Sequence, residues 1–268
     1  MLLPLAGAAI ISALPKSNEK AAKQAALGTT LVVMAVTIAM AVGFQRDNVE
    51  LQFVENYAWI PSFGINFSLG VDAIALVLIL MSVILAPIVV LAGWDEAHGG
   101  RWSVKTFYIL ILVLETMMIG VFAATDLFLF YVIFEAMLIP VYFLIGGYGT
   151  GERAAAAVKF LLYSLFGGLM MLASIIALYV MSGAQGGHTF DIDKLAQLEM
   201  SSTTQNLLFL GFFIAFAIKA PLWPFHTWLP DAAKSATPGT SVLLLGVLDK
   251  VGTFGMIRYC LTLFPDAS

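Results

Sequence analysis

Long apolar runs separated by short polar stretches make up most of this chain. A membrane span needs about 20 apolar residues. Eight runs reach or approach that length: residues 1–14 (short), 25–44, 71–93, 106–124, 127–147, 154–181, 207–220 and 240–264. The pattern predicts an all-α membrane protein of about eight transmembrane helices. Only Thr125 and Asp126 separate the fourth run from the fifth, so those two helices must form a tight antiparallel hairpin. The seventh run is short, and Pro221, Pro224 and Pro230 interrupt the stretch after it. Proline removes a backbone donor and clashes with the preceding turn. Broken backbone at membrane depth survives only inside protein or beside a wet cavity. The seventh helix therefore reads as broken, and the break points to a site. The polar stretch 182–206 reads as an outer loop.

Composition excludes a soluble domain. Apolar residues make up 60% of the chain and charged residues 11%, where a soluble domain carries roughly twice that charge. The single cysteine, Cys260, excludes a disulfide framework and multi-cysteine metal sites. The formal net charge of −4 gives no reason to expect nucleic acid. Lys16, Lys20 and Lys23 follow the first apolar run rather than precede it, the wrong order for a signal peptide. The run is expected to be a short or truncated first helix that inserts and stays.

Orientation follows from Lys and Arg in short loops. Lys16, Lys20, Lys23, Arg101, Lys105, Arg153 and Lys234 fall in one set of alternate loops. The other set carries Arg46 and Lys194 against Asp47, Glu50, Glu55, Asp191, Asp193 and Glu199. The basic set is expected on the cytoplasmic side of a bacterial cell membrane, which puts the N-terminus outside.

A few ionisable side chains inside the apolar runs carry the candidate chemistry. Glu135 lies midway along the fifth run among large apolar neighbours. An ionised carboxylate at mid-bilayer costs roughly 2.5–3.5 kcal/mol on insertion scales. Holding a proton or pairing with a cation offsets that cost, and either makes Glu135 a titratable group on a proton path. The plainer alternative is a neutral Glu that locks helix packing. Lys219 ends the seventh run at the break. A lysine balanced between burial and a carboxylate partner is a proton switch, against the alternative of a lysine snorkelling from a helix end. Glu135 and Lys219 are expected within ion-pair reach, directly or through one water. Lys250 lies near the middle of the eighth run. Its neighbour Asp249 points about 100° away on a helix, so Lys250 is expected to face the bundle interior rather than pair with it. Lys159, His226 and Glu115 are secondary candidates, each weighed against snorkelling, a structural hydrogen bond or packing. His226 has no second His or Cys at ligand spacing, so no metal site is expected. No phosphate loop or dinucleotide fingerprint is present, so no cofactor is expected on this chain.

Two stretches together resemble subunit M of the proton-pumping NADH–quinone oxidoreductases (respiratory complex I), in the antiporter-like subunit family. One is Glu135-Ala-Met-Leu-Ile-Pro-Val-Tyr-Phe-Leu-Ile-Gly. The other runs from Lys219-Ala-Pro-Leu-Trp-Pro-Phe-His-Thr-Trp-Leu-Pro-Asp-Ala into Leu248-Asp-Lys-Val-Gly-Thr-Phe-Gly-Met-Ile-Arg258. The resemblance implies that Glu135 modulates Lys219, that Lys250 lies on a central polar axis, and that Lys159 matches a sixth-helix lysine. It implies leading helices over 1–105 and a first five-helix inverted repeat forming a half-channel over 106–268, with the second repeat absent. NADH, FMN, iron–sulfur clusters and quinone are then expected on other subunits, and the partners are other membrane-arm subunits and the lipid bilayer. The sequence departs from the family at Ala233, where a histidine is common and where Lys234 follows. A subunit of a multi-subunit cation/proton antiporter is the alternative function, and a purely structural membrane scaffold the third.

Overall fold

The computed structural model describes residues 1–15 and 18–268, so Lys16 of the basic set lies outside the described residues. Among the described residues, seven helices are long and apolar enough to cross a membrane. They are α2 (Glu19–Val42), α3 (Ala73–Ala92), α4 (Val104–Ala123), α5 with α6 (Leu127–Ala136 and Leu138–Tyr148), α7 (Arg153–Ala184), α9 (Ser202–Lys219) and a final span, Pro238–Leu263. Short α1 (Leu3–Ala13) and α8 (Ile192–Leu195) and the re-entrant α10 (Trp228–Ser235) complete the helices outside that final span. At 1.5 Å per residue α1 extends only about 16 Å, well short of a bilayer core. It packs against α4 and α2 instead.

The polar punctuation between runs caps the spans. Asp72 accepts from the Ala75 amide (2.7 Å), Asp126 from Phe128 and Leu129 (2.9 and 3.0 Å), and Thr237 from Thr240 (3.3 Å). Ser103 and Ser201 cap α4 and α9 in the same way. Each satisfies amides that a helix start leaves without an intrahelical partner.

α4 is the most enclosed span, packed by α1, α2, α3 and α6. α7 lies on α9, where a Cβ added at Gly167 would stand 3.0 Å from the Ala215 Cα, so the small residue sets the approach of the two backbones. Leu162, Leu165, Phe166, Leu169 and Ile176 on α7 are exposed, as a lipid-facing surface requires.

The two loop sets separate to opposite ends. At one end Lys23 pairs with Asp95 (3.0 Å), the Arg101 amide donates to Gly147 O (2.7 Å) and Thr150 to Ser235 O (2.7 Å). The Lys23 ammonium holds the Asp95 carboxyl below the usual carboxylate range, by hydrogen bond first and charge second. At the other end Leu127 N–H donates to Phe190 O (2.9 Å) and Gln205 meets Asp266 (3.4 Å).

One element is absent from the sequence reading. Residues 52–71 form an antiparallel hairpin of β1 (Gln52–Ile60) and β2 (Ile65–Val71), turned through Pro61–Phe63 and Gly64 at φ +67°. β1 is exposed along nearly its whole length, so it shows no alternation of apolar and polar positions. The hairpin stitches the α4–α5 turn: Thr125 N–H donates to Ser68 O (3.0 Å) and Asn66 N–H to Asp126 (3.1 Å). Burial raises the Asp126 carboxyl, partly offset by the three amides it accepts from. The stretch 182–206 is also more ordered than a simple loop, holding the end of α7, α8 and the start of α9.

Candidate functional site

The break after α9 is closed by specific bonds. α9 stops at Lys219 because Pro221 cannot donate to the next turn. Phe216 O takes the Ala220 amide in the last regular helical bond (2.7 Å), and the carbonyls beyond it find other donors, Ala217 O the Leu222 amide (2.8 Å) and Ile218 O the Trp228 indole N–H (2.8 Å). The broken backbone is thus enclosed by protein, as apolar surroundings demand.

Lys219 itself is 1% exposed, and its ammonium has no hydrogen-bond partner among the described residues. It stands 4.7 Å from the centroid of the Phe134 ring and 6.0 Å from that of Phe160. Glu135 follows Phe134 at the end of α5, beside the join to α6. That join exists because Pro140 has no N–H for the Ala136 carbonyl. The Glu135 carboxylate turns to α7 and fills the space left by Gly168, where an added Cβ would overlap it. Its Oε1 is buried without a partner, as is Ser164 Oγ one turn back on α7. Phe160, Ser164 and Gly168 share one face of α7 by their four-residue spacing.

Glu135 and Lys219 thus occupy one enclosed space between α5, α7 and α9, but no N–O contact within 4.0 Å joins them. Direct ion-pair contact is therefore a correction to the sequence expectation. Each has an alternative neighbour, the Phe134 ring for the ammonium and the Gly168 recess for the carboxylate.

Lys250 is a second correction. Its side chain is 45% exposed and pairs with Asp249 at 2.8 Å. The four-carbon stem lets the ammonium swing back to a carboxylate whose Cβ points elsewhere. The turn that carries it, α12 (Asp249–Gly255), is flanked by π-helical segments Leu244–Leu248 and Met256–Cys260. α11 (Pro238–Leu243) and α13 (Leu261–Leu263) end the span. Gly252 and Gly255 let this span touch the Phe216 carbonyl and ring beside the break.

Lys159 neither snorkels nor reaches the buried pair. It bonds Asp231 (2.7 Å) and Thr227 O (2.9 Å) on the re-entrant segment. Beside it, Tyr163 and Thr227 share a hydroxyl contact (2.9 Å). His226 is exposed in the break, without a hydrogen bond to a described residue. Glu115 is 0% exposed on α4 with both oxygens unpartnered among the described residues. Among the described residues no group of three His, Cys, Asp or Glu side chains is placed to hold a metal ion.

Phe134, Phe160, Gly168 and Trp228 complete the site and had no signal in the sequence beyond proximity to the charges. A bundle of apolar spans with a broken helix and charged side chains at the break places the chain in the class of multi-spanning α-helical membrane proteins. Comparison with known proteins narrows it. Residues 124–268 match the family described as NADH:quinone oxidoreductase/Mrp antiporter, TM, and the chain belongs to that family. It is 46% identical over 300 residues to NADH-quinone oxidoreductase subunit M of Mycobacterium tuberculosis, covering 100% of this chain and 54% of that one. It is 36% identical to NADH-ubiquinone oxidoreductase chain 4 of Marchantia polymorpha, covering 100% and 53%. A chain of respiratory complex I from Thermus thermophilus with bound NADH matches at TM-score 0.83 and 29% identity, over 99% of this chain and 53% of that one. A chain of the Mrp complex from a Dietzia species shares the fold alone, at TM-score 0.78 and 20% identity, over 99% and 29%. The chain spans about half the length of the curated relatives it matches.

Proposed function

We propose that this chain is part of a proton-translocating, non-redox membrane subunit of an NADH–quinone oxidoreductase, in which quinone reduction elsewhere in the complex drives protons through buried Glu and Lys side chains. Lys219 carries the reading: a lysine sealed at a helix break, without a hydrogen bond, with the half-buried Glu135 carboxylate in the same space. Buried polar groups left without hydrogen bonds cost about 1–3 kcal/mol each, and each one calls for an explanation. A proton switch supplies one. With the carboxylate near, the ammonium is favoured; with it turned away, that support is lost and the proton becomes easier to release. Lys250 and the Lys159–Asp231 pair are the relays this reading offers on either side. NADH, FMN, iron–sulfur clusters and quinone belong to other subunits, and the exposed apolar faces meet lipid and other membrane-arm subunits. The 46% identity to a subunit M favours this over a cation/proton antiporter subunit, where the likeness is one of fold.

The membrane is the cytoplasmic membrane of a bacterium. The gathering of Lys23, Arg101, Lys105, Arg153 and Lys234 at one end supports an N-terminus on the outer side. Impermeant thiol reagents added to intact cells label a cysteine placed at Val49 on this reading; labelling only after lysis reverses the orientation.

The mechanism is tested in the assembled complex with the full-length subunit. Glu135→Gln and Lys219→Ala each lower redox-driven proton release by at least about tenfold, while the complex assembles normally. Unchanged pumping in both variants removes the switch.

A further inference from the structure

We propose that Phe134, backed by Phe160, is a cation–π seat that holds the Lys219 ammonium while Glu135 is turned away, which makes Phe134 a positioning residue of the switch; this rests on the proton-transfer reading above. A cation within about 6 Å of a ring centroid is drawn to the ring face, and most strongly where water is excluded. Lys219 Nζ is 4.7 Å from the Phe134 centroid and 6.0 Å from that of Phe160, and it is sealed from solvent.

The seat is rigid. Phe134 is held by Phe130 (5.7 Å) and edge-on by Phe216 (5.9 Å), and Phe160 by Trp228 (5.3 Å). Trp228 is in turn pinned to Ile218 O, one residue before Lys219. Ring, lysine and helix break therefore keep a fixed relation while the carboxylate moves. The opposite position is built as well: the Gly168 recess accommodates the Glu135 carboxylate because no Cβ occupies it. The two charges are thus parked on different walls of one space.

Glu135 on α5 is the charged group that acts on Lys219. α7 turns the neutral Ser164 hydroxyl and Phe160 to this space. The final span meets α9 through Gly252 and Gly255, with Asp249 and Lys250 paired to each other. The re-entrant segment contributes Trp228 to the wall behind Phe160. The Phe134 ring is the neighbour that can stabilise the ammonium without accepting its proton.

The test replaces Phe134 with mono-, di- and trifluorophenylalanine in the full-length subunit of the assembled complex, beside Phe134→Leu. Proton release in sealed vesicles is followed against pH. Fluorine withdraws charge from the ring face with little change of shape. The ring favours the ammonium, so weakening it lets the neutral amine form at lower pH. The alkaline limb of the pumping profile moves stepwise toward acid along the series, by about one pH unit at the end. Phe134→Leu, where it assembles, matches the fully fluorinated ring. Profiles that superpose along the series overturn the seat. If that happens while Glu135→Gln and Lys219→Ala abolish pumping, the seat fails and the switch stands. If those two variants pump normally, the switch fails and the seat falls with it.

Discussion

At the scale of single residues, the site depends on what is small as much as on what is charged. Glu135 has its recess only because position 168 is glycine. Gly168→Ala overfills that space and costs about 1–3 kcal/mol, read as a lower unfolding midpoint of the purified complex. It also forces the carboxylate out of the recess toward Lys219, so a structure of the variant is expected to show an ion pair that the parent lacks. Glu135 and Lys219 were legible in the sequence because a charge in an apolar run stands out. Phe134, Phe160 and Gly168 were not, because nothing in the sequence singles them out among the 20 Phe and 23 Gly of this chain. Lys250 was legible as a charge but not in its orientation, since the stem of a lysine reaches further than the helical angle suggests.

At the scale of elements, the broken seventh helix was predicted by its prolines, and the structure shows how it is held. Ile218 O would lack a partner without the Trp228 indole N–H. Trp228→Phe keeps most of the apolar contact with Phe160 and removes the donor. It is expected to destabilise the break by about 1–3 kcal/mol, measured as faster hydrogen exchange over residues 216–230. The same method on the hairpin of residues 52–71 is expected to show protection confined to its hydrogen-bonded positions. That hairpin was missed because β1 is exposed on both faces, so no burial imposed a two-residue period on its sequence.

At the scale of the molecule, a few long-range polar contacts tie the leading spans to the rest. Arg258 on the final span pairs with Asp72, which also caps α3, in a half-buried setting. Glu96, just past α3, accepts the Gly239 amide at the start of the final span (3.0 Å). Asp72→Ala removes a cap and leaves Arg258 without its partner. Together these are expected to cost about 2–4 kcal/mol, seen as a lower thermal midpoint. Replacing Asp72 and Arg258 together by apolar residues recovers part of the loss. Neither contact was legible, because the partners lie 186 and 143 positions apart and each residue reads alone as ordinary loop or helix-end polarity.

The sequence by itself determined the class of molecule. Backbone groups in hydrocarbon must bond within their own helix, so run length and proline placement prescribe the spans, the 125–126 hairpin and the break after Lys219. It also determined that Glu135 and Lys219 are costly enough to matter. The tertiary structure alone decided where those charges rest. That depends on which ring, recess or carboxylate another helix presents within a few ångströms, and one-dimensional spacing does not encode such contacts. The result is a carboxylate in a glycine recess and a lysine over an aromatic ring, near each other and held apart.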